Sequence, residues 1–140
     1  MTALAAERDI PKYGAGPKAE YLYAPVKTAT TIYKGALVAI TSAGVALPAA
    51  ATATNITLGV CDETVINSGA DGAKSVKVRC GVFAFNNSSS TDEITSAWIG
   101  STCYVVDDNT VAKTDNSAAR PAAGKVVKLE GGLVFVQVGI

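Results

Sequence analysis

Between Lys74 and Cys80 apolar and polar residues alternate strictly. Val76, Val78 and Cys80 fall on one side, and Ser75, Lys77 and Arg79 on the other. A period of two predicts a strand with one buried and one wet face. Asp71-Gly72 just before it is a turn signal. Thr102–Val106 and Thr110–Lys113 predict a hairpin across Asp107–Asn109, and Lys125–Glu130 and Leu133–Val138 a second across Gly131-Gly132, a pair that tolerates positive φ. The last of these strands, Leu-Val-Phe-Val-Gln-Val, is nearly continuously apolar, which predicts a central position or cover on both faces.

The same pattern extends upstream. Thr28–Ile40 is rich in β-branched residues. Ser42–Gly44 reads as a turn, Val45–Leu47 as a return strand ended by Pro48, and Asn55–Val60 as another short strand. Gly81 breaks the rhythm of Lys74–Cys80, because Phe83 and Phe85 would otherwise continue its polar face. Either a bulge at Gly81 resets the register, or the two rings point outward and mark a contact surface. Thr91–Trp98 is the best helix candidate, with Ser90 or Thr91 as cap, Asp92-Glu93 in the first turn and Gly100 as its stop. Roughly eight to ten short strands at regular spacing predict an all-β fold, mainly antiparallel, as a small barrel or sandwich with one short helix near 91–98.

Residues 1–30 depart from this pattern. Pro11, Gly14, Gly16, Pro17 and Pro25 punctuate the stretch, and prolines there exclude a central strand or helix interior. Yet Tyr13, Tyr21 and Tyr23 fall here, three of the five tyrosines. A disordered tail is poorer in aromatics. The stretch reads as an extended arm ordered by lying on something, either a partner or its own domain. The expected organisation is an arm over 1–30 and a β-rich domain over 31–140.

Composition narrows the function. The chain has 140 residues, suited to one domain with its own core. Lys plus Arg equals Asp plus Glu at 12 each. That balance argues against nucleic acid, whose phosphates demand a basic excess, and there is no basic amphipathic helix for a membrane surface. Zero net charge favours association. The N-terminus places Glu7, Arg8 and Asp9 before any apolar run, which predicts no signal peptide.

Chemistry is scarce. Without histidine there is no Ser-His-Asp or Cys-His arrangement and no His-based zinc motif. The pairs Asp62-Glu63, Asp92-Glu93 and Asp107-Asp108 are adjacent, so within a strand they would point apart; turn and cap roles explain them. Cys61, Cys80 and Cys103 lack metal or redox spacing and read as reduced thiols packed as small hydrophobes. No cofactor or metal is expected, and no enzymatic activity. Lys12, Lys18, Lys27 and Lys34 form a solvated fringe or face an acidic groove on a partner.

Four stretches occur in a recognisable order: Tyr33–Ile40 with Gly44–Pro48, Ile56–Val60, Val76–Phe83, and Gly100–Asp107 running into Ala123–Val126 and the terminal strand. Over residues 30–138 the chain resembles the small capsid decoration, or cement, proteins of tailed bacteriophages. The resemblance implies a structural protein on the outer capsid surface of the virion, assembled in the host cytoplasm. It also implies a homo-oligomer, a trimer in preference to a dimer, with the major capsid protein as partner. An N-terminal segment would grip that partner, often by adding a strand. Pro11, Lys12, Tyr13, Lys18, Tyr21, Tyr23 and Pro25 are the residues that would form the capsid-binding arm, and Val82, Phe83 and Phe85 the self-association patch. The alternative is a carbohydrate- or host-surface-binding β module of a virion, for which Trp98 would be the sole tryptophan platform.

Overall fold

The computed structural model describes Ala6 and residues 20–140. Twelve strands follow one another: β1 (Tyr21–Pro25), β2 (Thr30–Ile32), β3 (Leu37–Ile40), β4 (Ala46–Pro48), β5 (Ile56–Cys61), β6 (Val65–Asn67), β7 (Ser75–Arg79), β8 (Gly81–Asn86), β9 (Thr102–Val105), β10 (Val111–Ala112), β11 (Ala122–Glu130) and β12 (Leu133–Val138). They form a five-stranded sheet in the order β1-β7-β5-β3-β4, a second in the order β10-β9-β11-β12-β8, and a small β2-β6 sheet. Every ladder between these strands is antiparallel. None of the sheets closes into a barrel. Among the described residues no helix is long and apolar enough to cross a membrane.

The β1–β4 sheet is the middle layer. One of its faces, through Leu37, Ala39 and Val60, packs on Phe85, Val105, Val126, Val134 and Val136 of the second sheet. Its other face, through Val38, Leu58, Val76 and Val78, packs under Ile32 and Val65 of the small sheet. This explains why β3 and β5 are apolar without alternation: both sides of each are covered. A bulge helps. Val38 pairs with Gly59 and Ala39 with Thr57, so Leu58 is an extra residue in β5. The extra residue lets Leu58 and Val60, two apart in sequence, enter opposite cores.

The Lys74–Cys80 alternation holds in β7, where Val76 and Val78 are fully buried. Both expected hairpins form. Asn109 donates its backbone N–H to the Asp107 carboxylate at the first turn, and Gly131 and Gly132 both have positive φ at the second. The terminal strand β12 is paired on both sides, by β11 and β8.

One expectation is corrected. Residues 91–98 are not a helix; Ser90–Asp92 and Ser96–Trp98 are separate 3-10 turns with extended chain between them. The cause is Asn87. Its side-chain oxygen accepts from the Ile94 N–H and its NH2 donates to the Ile94 carbonyl, both at 2.9 Å. That clamp takes both backbone groups a helix would need and holds the Ile94 side chain in the core. The loop is further tied by Asp92, whose carboxylate accepts from the Thr114 hydroxyl and the Arg120 guanidinium. Tyr21–Pro25, within the expected arm, forms β1, paired residue by residue with β7, so this part of the stretch lies on its own domain. Pro25 sits at its last position, on an edge strand, where a missing N–H costs no ladder bond.

Candidate functional site

The surfaces that bear on association are two sheet rims. The first is β1, at the edge of the middle sheet. Pro11, Lys12, Tyr13 and Lys18 lie outside the described residues. Tyr21, Tyr23 and Pro25 are described, and β1 holds them in place. Alternation turns Ala24 into the core and leaves Tyr23 65% exposed. The Lys77 ammonium lies 4.4 Å from the centroid of the Tyr21 ring, a cation–π contact worth about 0.5–1 kcal/mol at an exposed site. Beside Tyr23 a shallow depression of about 320 Å³ is lined by Glu63, Thr64, Val65, Ser75 and Lys77. The nearby Asp62 carboxylate is 3.6 Å from both Lys77 and Arg79.

The second rim is β8, at the edge of the other five-stranded sheet. Its sequence, Gly-Val-Phe-Ala-Phe-Asn, contains no charge and no proline. Those are the usual devices that keep an exposed edge from pairing with another chain. Gly81 marks the point where the chain leaves one sheet for the other. In β7 the even-numbered residues face inward, whereas in β8 the odd-numbered ones do. The inward-facing alternative for the two rings is therefore the one realised, through a change of sheet. Phe85, expected in the self-association patch, is 3% exposed and packs in the core between the sheets. Phe83 is half-buried against the same cluster. Val82 remains outward at 48% exposure, with Ala84 exposed beside it.

These placements separate stability from surface chemistry. Phe85→Ala is expected to destabilise the fold by about 3–5 kcal/mol, whereas Val82→Ala should change stability by less than about 0.5 kcal/mol. Urea unfolding followed by Trp98 fluorescence reads both. Equal effects would contradict the inward placement of Phe85.

No disulfide joins the three cysteines, and Cys61 and Cys103 are buried. Desolvation pushes the Cys103 thiol up to about 12, and burial also raises Cys61. At pH 8 a thiol of that pKa is ionised in only about one molecule in ten thousand, and only the thiolate reacts. Half-buried Cys80 is therefore expected to be alkylated first in the native protein, with Cys61 and Cys103 labelled only after denaturation; mass spectrometry of the labelled peptides checks this.

Among the described residues no group of three or more Cys, Asp or Glu side chains is arranged to hold a metal ion. Trp98 does not form an open platform. It packs against the core, donates its indole N–H to the Thr102 carbonyl at 2.8 Å, and carries the Lys113 ammonium 5.1 Å from its ring centroid. Sequence reasoning missed β1 and the β8 rim as strand edges. The signal available was the alternation of Tyr21, Tyr23 and Pro25 around Leu22 and Ala24.

Comparisons with protein families, with curated proteins and with solved structures find no match for this chain.

Proposed function

We propose that the chain is a structural decoration protein of a tailed-bacteriophage head. It would bind the outer capsid surface and stabilise contacts between major capsid protein subunits. The observation that supports this reading most is a layered β body with two edge strands, each bridged beyond its own ladder to another strand or loop only at its C-terminal end. One rim, β1, is where the N-terminal residues join the body. The other, β8, is an uncharged edge with outward Val82 and Ala84. A clamp on a shell needs a rigid body, a site for its own copies and a place for the shell subunit.

In this reading the N-terminal residues grip the capsid protein at the β1 rim, with Tyr23 as an exposed aromatic anchor. The β8 rim joins copies into a homo-oligomer, a trimer in preference to a dimer. Many copies on a lattice add avidity without new contacts. Nothing at Trp98 favours the carbohydrate-binding alternative.

The test is binding of the purified protein to heads that lack it, with copies per head measured by quantitative gel densitometry. Saturable binding at a fixed stoichiometry is expected; absence of binding would sink the proposal. For the β8 rim, the double substitution Val82→Lys and Ala84→Lys places like charges on the edge and is expected to lower the oligomer mass seen by light scattering. An unchanged mass would move self-association to another surface.

A further inference from the structure

Where the ends of the two large sheets meet, a groove of about 630 Å³ opens, within the size range of ligand sites. Its walls come from both sheets: Asn55, Ile56 and Thr57 from one side, Gly124, Lys125 and Gln137 from the other. The Thr57 hydroxyl donates to the Ala122 carbonyl at 2.8 Å and ties the sheets together beneath it. A bulge shapes the second wall. Ala122 pairs with Tyr104 and Gly124 with Cys103, so Ala123 is an extra residue in β11. Bulges are enriched beside functional sites because they re-aim the chain.

Asn55 is the telling residue. It is 8% exposed, and its backbone N–H is satisfied by the Thr52 carbonyl. Its side-chain carboxamide has no hydrogen-bond partner among the described residues. Yet among the described residues no side-chain nitrogen or oxygen sealed from solvent lacks a partner. The carboxamide therefore opens on the groove that Asn55 lines. Open to the groove, its donor and acceptor are free to pair with a ligand. Lys125 adds a positive charge that forms no salt bridge among the described residues, and no carboxylate lines the groove. Gln137 supplies a second amide, and Ile56, 59% exposed, an apolar wall.

We infer that this groove binds an extended peptide segment carrying an acidic side chain. The carboxylate meets the Lys125 ammonium, the Asn55 and Gln137 amides pair with peptide groups, and the adjacent apolar side chain lies on Ile56. Two amides, each offering a donor and an acceptor, match what a peptide backbone presents, and charge complementarity selects the acid. The groove adjoins the β8 rim, since Gln137 pairs with Val82 across the β12–β8 ladder, but its chemistry does not depend on the capsid reading.

The experiment is an NMR titration of the whole, isotope-labelled chain with two capped probes, acetyl-Val-Asp-Val-amide and acetyl-Val-Asn-Val-amide, and with sodium acetate. The aspartyl peptide is expected to give saturable shifts at Asn55, Ile56, Gly124 and Gln137. The asparaginyl peptide should bind about tenfold more weakly or worse. Lys125→Gln, on an exposed side chain, should keep the melting temperature and lose about tenfold in affinity, while Lys125→Arg should retain most of it. No saturable shift, or equal binding of the two peptides, overturns the inference. Acetate reproducing the same shifts at the same half-saturation overturns the peptide assignment. Failure here would leave head binding untouched, and failure of head binding would leave this titration untouched.

Discussion

Gly59→Ala is expected to destabilise the protein by about 3 kcal/mol or more, a large part of the whole stability of a domain of this size. Gly59 lies in β5 between β3 and β7, at the bulge that sends Leu58 and Val60 into opposite cores. A methyl group there would meet the Arg79 carbonyl oxygen and come within 2.7 Å of Val78 Cγ1. Both obstacles belong to β7, and one of them is backbone, so relief means parting two central strands. The residue also sits at φ 154°, which side chains rarely adopt. Gly44→Ala is the control. Its φ is 82° but nothing lies within 4 Å of the added methyl, so backbone strain alone should cost about 1 kcal/mol. Urea unfolding midpoints at unchanged slope measure both. A Gly59→Ala midpoint equal to that of Gly44→Ala would mean that β5 and β7 are not as close as described.

Truncation at the N-terminus is expected to divide sharply between residues 19 and 25. Removing residues 1–19 should leave the stability of the body within about 0.5 kcal/mol, because every described strand survives. Under the proposed function the same truncation abolishes binding to heads. Removing residues 1–25 also deletes β1. It unpairs one side of β7 and strips buried Ala24 and half-buried Leu22 from the core over Val76 and Val78. Loss of that burial and of the ladder should cost about 3–5 kcal/mol. Thermal unfolding and head binding of the two truncations separate the alternatives. If the shorter truncation lowers stability as the longer one does, the first residues pack on their own body. If it still decorates heads normally, the arm proposal fails.

How far the fold could be read from sequence depended on whether the partner of each element is local. The hairpins β9–β10 and β11–β12 were legible because the turn residues and alternation that make them lie within one short stretch. β7 was legible because one face is wet, so its pattern is period two. β2 and β6 were not paired from sequence, since Thr30 meets Asn67 across a long separation. That junction is held by the buried Asn67 amide, which donates to the carbonyls of Val26, Lys27 and Ala70. The failed helix has a local cause that propensity does not show. Its caps and acidic first turn suit a helix, but Asn87, seven residues before Ile94, competes for the backbone. Of the candidate surface residues, Val82 and Phe85 lie on opposite faces of one strand, so both were undecided between two registers until the change of sheet at Gly81 turned Val82 outward and Phe85 inward.

The sequence alone determined an antiparallel β body, its main turns, and a chain without histidine chemistry, because these follow from side-chain type and local spacing. Only the tertiary structure decided that three sheets stack in layers, that Tyr21–Pro25 belongs to the body, and that Asn55 opens on a groove between sheets. Those facts depend on which strands meet across long separations, and alternation specifies a buried face without specifying what covers it.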